Sequence, residues 1–248
     1  MELSEFFRLH PRAAIAFSGG TDSSFLLYCA KKYGASVRAY CVRSAFQPAF
    51  ELEDAQKLAA SLGADVRILT ADVLSHPEIT SNPEDRCYHC KRIIFSGIIK
   101  AAAADGFPVL LDGTNASDDA SDRPGMAAAR ELGVLSPLRD CGLTKEKIRL
   151  LSKEAGLFTW NKPSYACLAT RIPSGEEITG EKLSAAEAAE GYLFSLGFSD
   201  FRVRISGGTA KLQLREEQFP LLVENRTGIL DTLKSYFTDV LLDLEVRK

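Results

Sequence analysis

The segment Ser18-Gly-Gly-Thr-Asp-Ser-Ser24 follows directly on the apolar run Ala13-Ala-Ile-Ala-Phe17. Two glycines allow a close backbone approach, and Thr21-Asp22-Ser23-Ser24 opens a helical pattern. Backbone N–H groups and hydroxyls at the start of a helix make an anion site, because the helix dipole and the unpaired donors both favour negative charge. Phosphate is therefore expected against residues 18 to 24. The segment is neither a Walker loop, which ends in Gly-Lys-Ser/Thr, nor the Gly-x-Gly-x-x-Gly dinucleotide loop. The alternative to a phosphate site is a glycine turn whose Asp and Ser cap a helix.

Further along, Leu111-Asp-Gly-Thr-Asn-Ala-Ser-Asp-Asp119 closes another strand-like run. Doubly wound sheets bind ligands at the carboxyl ends of their strands, so Gly113, Thr114 and Asn115 are expected to face the same crevice as the first loop. Asp118 and Asp119 offer oxygen ligands for Mg²⁺, or else cap the next helix. Cys87-Tyr-His-Cys90 supplies two thiols at metal or redox spacing, and no second pair follows, so a third thiol has to come from elsewhere. Cys29 and Cys41 sit in apolar helical and strand patterns and read as core, while Cys141, in a short polar turn, stays open. Cys167 stands in Lys162-Pro-Ser-Tyr-Ala-Cys-Leu-Ala-Thr-Arg-Ile-Pro173, flanked by Lys162 and Arg171. Cations nearby favour a thiolate, so Cys167 reads as a thiol of lowered pKa or as a buried linker cysteine. Arg202 and Arg204, two apart on one face of a strand, can turn both guanidiniums on one anion or serve solubility alone.

These residues need elements to hold them. Ala13 to Phe17, Val37 to Val42, Asp65 to Thr70 and Val109 to Asp112 read as strands. Asp22 to Tyr33, Pro48 to Leu62 and Tyr88 to Ala104 read as helices between them, and strand and helix in alternation argue for a parallel sheet covered on both faces. His76 to Glu84, with Pro77, Asn82 and Pro83, reads as a long loop. Helices follow over 124–132 and 144–155 with a short strand near Val134. Pro163 and Pro173-Ser-Gly175 bracket an irregular stretch, which places a domain boundary between residues 1–160 and 161–248. Beyond it come a helix from Thr179 to Leu196, strands Phe201 to Ile205 and Ala210 to Leu214, a helical region from Glu216 to Phe237 interrupted near Gly228, and a last strand from Val240 to Val246. That order suits a small antiparallel sheet with helices on one face. The expected fold is α/β, a doubly wound, Rossmann-like parallel sheet with a smaller C-terminal α+β domain.

Composition excludes several classes of function. The 248 residues are 46% hydrophobic and 25% charged, which is ordinary for a globular protein. No apolar run reaches the ~20 residues of a membrane span, and the first residues lack the order of a signal peptide, so the protein is expected in the cytoplasm. Residues 1–160 carry 19 positive and 20 negative charges and residues 161–248 carry 11 and 13, so neither part has the basic excess of a nucleic-acid binder. A small-molecule substrate fits better.

The Ser-Gly-Gly-x-Asp-Ser loop after a first strand resembles the pyrophosphate loop (PP-loop) of the N-type ATP pyrophosphatases, which split ATP into AMP and pyrophosphate. That resemblance implies ATP and Mg²⁺, with Ser18, Gly19, Gly20 and Ser23 on the departing pyrophosphate and Asp22 orienting the loop or assisting the cation. Adding Arg86-Cys-Tyr-His-Cys-Lys91, Asp112-Gly-Thr-Asn-Ala116, Arg123-Pro-Gly125, Ser136-Pro-Leu138 and Ala166-Cys-Leu-Ala-Thr-Arg-Ile-Pro173, the chain resembles the LarE family from about Ala14 to Arg204. These are ATP-dependent sulfur transferases of nickel-pincer nucleotide biosynthesis, acting on pyridinium-3,5-biscarboxylic acid mononucleotide.

The resemblance implies that carboxylates are adenylated and then converted to thiocarboxylates. In one branch the cysteine matching Cys167 gives up its own sulfur. In the other, three cysteines hold a [4Fe-4S] cluster with one open iron. Cys87, Cys90 and Cys167 fit the second pattern. The resemblance also implies that Arg202 and Arg204 bind the substrate phosphate, that Tyr88 stacks on the pyridinium ring, that Arg171 lines the substrate pocket, that Glu190 serves a cation site, and that the protein is a homo-oligomer, with a hexamer as one form. Rival readings are a tRNA thiolation enzyme, an ammonia-dependent AMP-forming ligase, and a nucleotide-sensing module without catalysis.

Overall fold

The computed structural model describes residues 1–118 and 124–247, and they divide into two compact units. The first comprises Met1–Val73 and Asp85–Lys162, and the second Leu74–Glu84 and Pro163–Lys248. In chain order the elements begin with α1 (Leu3–Leu9), β1 (Arg12–Ala16), α2 (Thr21–Lys32), β2 (Ser36–Arg43), α3 (Ala49–Ser61) and β3 (Val66–Thr70). Next come α4 (Pro77–Thr80), α5 (Arg86–Ala104), β4 (Leu110–Leu111), α6 (Pro124–Glu131), α7 (Pro137–Asp140) and α8 (Lys145–Glu154). The chain ends with α9 (Gly180–Ser195), β5 (Arg202–Ser206), β6 (Thr209–Gln213), α10 (Phe219–Glu224), α11 (Arg226–Leu233) and β7 (Asp239–Leu242).

The first unit is a parallel sheet in the order β3-β2-β1-β4. Side chains alternate across a strand, so β1 sends Ala13 and Ile15 to one face and Ala14 to the other. Ala13 and Ile15 join Phe25, Leu26, Leu58 and Ile148 in one apolar cluster. Ala14 packs instead with Phe95, Ile98, Ala102 and Ala129. Burial on both faces is why β1 is an unbroken apolar run, and the expected doubly wound α/β architecture is the one found. The α1 helix lies outside the sequence expectation; burial of Leu3, Phe6 and Phe7 fixes it.

The second unit carries the smaller sheet, β5-β6-β7, and here three expectations are corrected. Its β5–β6 pair is antiparallel across the Gly207-Gly208 turn, but β7 pairs parallel to β6, so the sheet is mixed. Gly228 does not interrupt a helix. It lies inside α11, where a Cβ would stand 3.0 Å from the Tyr192 hydroxyl of α9, and the break falls at Asn225. The segment 76–84 is not a free loop. It contains α4, and Asn82 sits buried at φ 56° with its backbone carbonyl accepting from the Gly175 N–H and its amide donating to the Pro173 carbonyl. Asn tolerates that left-handed conformation better than most residues. Among the described residues no helix is long and apolar enough to cross a membrane.

Candidate active site

In the first unit the crevice lies where the strand order turns, between β1 and β4. Past β1 the chain bends at Gly19 (φ +72°), and a Cβ there would stand 2.8 Å from the Cα of Ala55 on α3. Only glycine fits both the turn and that contact. Gly20 is the N-cap of α2 and brings no capping side chain, so the first N–H groups of the helix are left for a ligand. The Ser18 and Ser23 hydroxyls lie 3.2 Å apart, and Ser23 Oγ accepts from the Ser18 N–H at 3.3 Å. Thr21 and Ser24 depart from the expected role: both side chains are buried, and the Thr21 hydroxyl donates to the Thr159 carbonyl at 2.8 Å. The Thr21 hydroxyl is thereby engaged, while Ser24 Oγ is buried with no hydrogen-bond partner among the described residues.

The second loop reaches the same place. A Cβ on Gly113 would stand 2.9 Å from the Ser23 backbone nitrogen, so the end of β4 lies directly on the start of α2. Asp112 shapes this loop, accepting from the Thr114 N–H (3.1 Å) and hydroxyl (2.8 Å) and from the Ser136 hydroxyl (2.7 Å). Asn115 is buried and its side-chain oxygen accepts from the Ser117 N–H. Asp118 Oδ2 accepts from the Asn115 N–H at 2.9 Å, closing the loop over the Asx turn that Asn115 makes with Ser117. Asp119 and Arg123 lie outside the described residues.

A residue that sequence reading missed completes the crevice. Lys145, the first residue of α8, places Nζ 2.6 Å from Asp22 Oδ2. The other Asp22 oxygen is buried with no hydrogen-bond partner among the described residues. A cation at a helix N-terminus runs against the dipole, and that was the available signal. The site thus combines uncapped N–H groups, two hydroxyls, one lysine and one carboxylate, a set suited to a polyphosphate with its cation.

Cys87 and Cys90 occupy the first turn of α5, where residues three apart share a face, Cys87 exposed and Cys90 half-buried. Arg86 Nη2 lies 3.8 Å from the Cys87 sulfur. Tyr88 donates its hydroxyl to Glu131 at 2.8 Å and carries the Arg92 guanidinium 5.6 Å from its ring centre, so one face of the expected stacking ring is already in use. Cys29 and Cys41 are core, as read, and burial pushes their thiols up to about 12 and about 11. Cys141 is half-buried and is also raised, mainly by burial. Among the described residues no three His, Cys, Asp or Glu side chains gather into a metal site.

In the second unit Cys167 is half-buried and precedes a 3₁₀ turn, Leu168–Arg171. The cations expected to flank it are engaged elsewhere: Lys162, in the first unit, pairs with Asp54 at 2.8 Å, and Arg171 pairs with Glu190 at 2.7 and 2.8 Å. Burial works against the Arg171 charge, but the Glu190 carboxylate outweighs it and the guanidinium's pKa ends up raised. This corrects two expectations together. Arg171 does not line an open pocket, and Glu190, whose oxygens accept from Arg171, the Tyr165 hydroxyl and the Val203 N–H, is not an open cation ligand.

Arg202 and Arg204 share the unit and keep donors to spare. Arg202 donates to the carbonyls of Phe201 and Ser164, and Arg204 to Gln213 and the Thr170 carbonyl. Burial, and then the charges of Arg171 and Arg247, depress Arg202 to about 10 and lower Arg204 as well. Like charges gathered in one buried place are what an anion would relieve.

Comparison with known proteins follows from this geometry. The pyridinium-3,5-bisthiocarboxylic acid mononucleotide synthase of Lactiplantibacillus plantarum is 36% identical over 83% of this chain and 75% of its own length. The chain belongs to the LarE family. A family model described as queuosine biosynthesis protein QueC also matches residues 12–85, from β1 through α4 to the residue before Arg86. An uncharacterized protein of Synechocystis sp. is 37% identical over 98% of this chain and 92% of its own length. Another, from Methanocaldococcus jannaschii, is 27% identical over 98% and 93%. At 83% of the chain, the match to the synthase includes residues of both units.

Proposed function

We propose that this protein is an ATP-dependent sulfur transferase that adenylates the carboxylates of pyridinium-3,5-biscarboxylic acid mononucleotide and converts them to thiocarboxylates. The observation that carries this reading is the meeting of the two loops, with Gly113 against Ser23 at an uncapped helix start, in a chain 36% identical to the named synthase.

In the first step a substrate carboxylate oxygen attacks the α-phosphorus of ATP, the bond from that phosphorus to the bridging oxygen breaks, and pyrophosphate leaves. Ser18, Ser23 and the N–H groups at the start of α2 receive its growing charge, and Lys145 turns from Asp22 towards it. Asp22, with one oxygen unpartnered, is the natural ligand for the Mg²⁺ that travels with ATP. In the second step a sulfide sulfur bonds to the activated carbonyl carbon, the carbon–oxygen bond to AMP breaks, and AMP leaves with that electron pair. Arg202 and Arg204 hold the mononucleotide phosphate through their remaining donors. Tyr88 offers the free face of its ring to the pyridinium.

Cys87 and Cys90, one exposed and one half-buried on a single helical turn, suit iron–sulfur ligation, and we assign them with Cys167 to a [4Fe-4S] cluster. When bound, such a cluster presents sulfide at its open iron. The test is anaerobic purification with assay of iron, acid-labile sulfide and pyrophosphate release. About four irons per chain, lost in Cys87→Ala, together with pyrophosphate release that requires the biscarboxylate mononucleotide, support the reading. An iron-free protein, with Cys167 about 34 Da lighter after turnover, would instead make Cys167 itself the sulfur donor.

A further inference from the structure

Arg171 and Glu190 are 0% and 1% exposed. A buried ion pair is weak evidence for stability, because taking both charges out of water costs about as much as their attraction returns; its better-attested use is to specify one arrangement. Around this pair, the arrangement specified is the backbone on either side of Cys167. That stretch belongs to no sheet or α-helix, so its carbonyls must find donors elsewhere.

Guanidiniums and one hydroxyl supply those donors, joined at the Cys167 carbonyl by the Thr170 backbone N–H at 3.0 Å. Arg202 takes the Ser164 carbonyl at 2.6 Å. Arg171 Nη1 takes the Ala166 carbonyl at 3.0 Å and the Cys167 carbonyl at 3.5 Å. The Thr170 hydroxyl donates to the Cys167 carbonyl at 2.8 Å while accepting from Arg171 at 2.9 Å. Arg204 takes the Thr170 carbonyl. Glu190 orients the central guanidinium through its Nε and Nη2, and its Oε1 also accepts from the Val203 N–H, which ties α9, β5 and the Cys167 stretch to one carboxylate. The Tyr165 ring lies 4.5 Å from the Arg171 guanidinium and 5.2 Å from that of Arg202, with its hydroxyl on Glu190.

We infer that Arg171 and Glu190 are positioning residues for Cys167: the pair fixes the Ala166 and Cys167 carbonyls and so the direction in which the thiol is presented. Neither touches the reacting atoms. The inference rests on the reading above that Cys167 handles the transferred sulfur.

Two variants test it. The double variant Arg171→Met with Glu190→Gln removes both charges while keeping an acceptor for the Val203 N–H. Arg171→Lys keeps the charge opposite Glu190 but loses the fork that spans two carbonyls. In both, pyrophosphate release in the first turnover stays within about twofold of wild type while thiocarboxylate formation falls roughly 10- to 100-fold with unchanged KM, the scale expected of a reacting group about 1 Å out of place. In iron-free resting protein without ATP, alkylation of Cys167 by iodoacetamide, referenced to Cys141, changes several-fold. Equal loss of both steps, or retained thiolation, overturns the inference; if the double variant does not fold, Arg171→Lys decides. Cys167→Ala separates the two levels of argument. Thiolation surviving in Cys167→Ala overturns the role of Cys167 and the inference with it. Thiolation lost in Cys167→Ala but intact in both lock variants overturns the inference alone.

Discussion

Replacing Gly19 by alanine tests the geometry of the phosphate loop with a built-in reference. At φ +72° a side chain costs roughly 1–2 kcal/mol of backbone strain. The new Cβ would also stand 2.8 Å from the Ala55 Cα and 2.9 Å from its nitrogen. Those are backbone atoms of α3 that cannot swing aside, and forced overlap of this kind costs roughly 1–3 kcal/mol. Gly34 has nearly the same φ, +75°, and nothing within 4 Å of its virtual Cβ, so Gly34→Ala pays for strain alone. Both changes narrow the unfolded ensemble equally, and that contribution cancels between them. Gly19→Ala should therefore be less stable than Gly34→Ala by about 1–3 kcal/mol in urea unfolding followed through Trp160, the chain's single tryptophan. ATP affinity, measured calorimetrically, should fall at least about tenfold in Gly19→Ala and stay at the wild-type value in Gly34→Ala. Equal stability losses in the two variants would refute the close approach of the loop to α3, and with it the account of why glycine stands there.

Three further outcomes are expected. Lys145→Met should weaken ATP binding about 10- to 100-fold, the worth of one charge-assisted contact, and leave AMP binding within about twofold; equal losses for both nucleotides would make the residue merely structural. The Cys29 and Cys41 thiols are raised by burial from 9.0 to about 12 and about 11, so the folded state holds these protons more tightly than the unfolded chain. Their contribution is full below pH 9.0 and is lost as pH rises towards 11 and 12; urea midpoints should fall over that window, less so in Cys29→Ala. Asp243 is held at about 2, below its ordinary 3.8, chiefly by hydrogen bonds from Lys211 and then Gln213. That support is present above pH 3.8 and lost as pH falls towards 2, so an acid titration of Asp243→Asn should lack the corresponding part of the wild-type transition.

The parallel half of the fold was legible because its signals are local. A strand buried on both faces reads as a continuous apolar run, as Ala13-Ala14-Ile15 does, and the helices between strands keep their own period. What escaped depended on partners distant in the chain. Two turns of α1 have little intrinsic stability and owe their place to the burial of Phe6 and Phe7. Nothing within Asp239–Leu242 states whether it will run parallel or antiparallel to β6, since direction is set by the route taken through α10 and α11. Gly228 looks like a helix breaker in one dimension, yet it answers to the Tyr192 hydroxyl of a neighbouring helix.

The site divides along the same line. A tight turn leading into a helix start is written into consecutive residues, and so the shape of the Ser18 to Ser23 loop was readable, including the close backbone approach at its glycines. Charge pairing is not. Asp22 and Lys145 are 123 positions apart, and Arg171 and Glu190 lie 19 apart in different elements. Read singly, each charged residue invites a ligand: a substrate for Arg171, a cation for Glu190. Burial removes that freedom, since a charge taken out of water must find its counter-charge inside, and these two find each other. Arg202 and Arg204 make the opposite case. Two residues apart on a strand they looked like a pair, but the reason to see an anion site there comes from Arg171 and Arg247, whose charges add to burial in lowering both pKa values. A sequence shows which charges exist; only their summed positions show which of them are left without an answer.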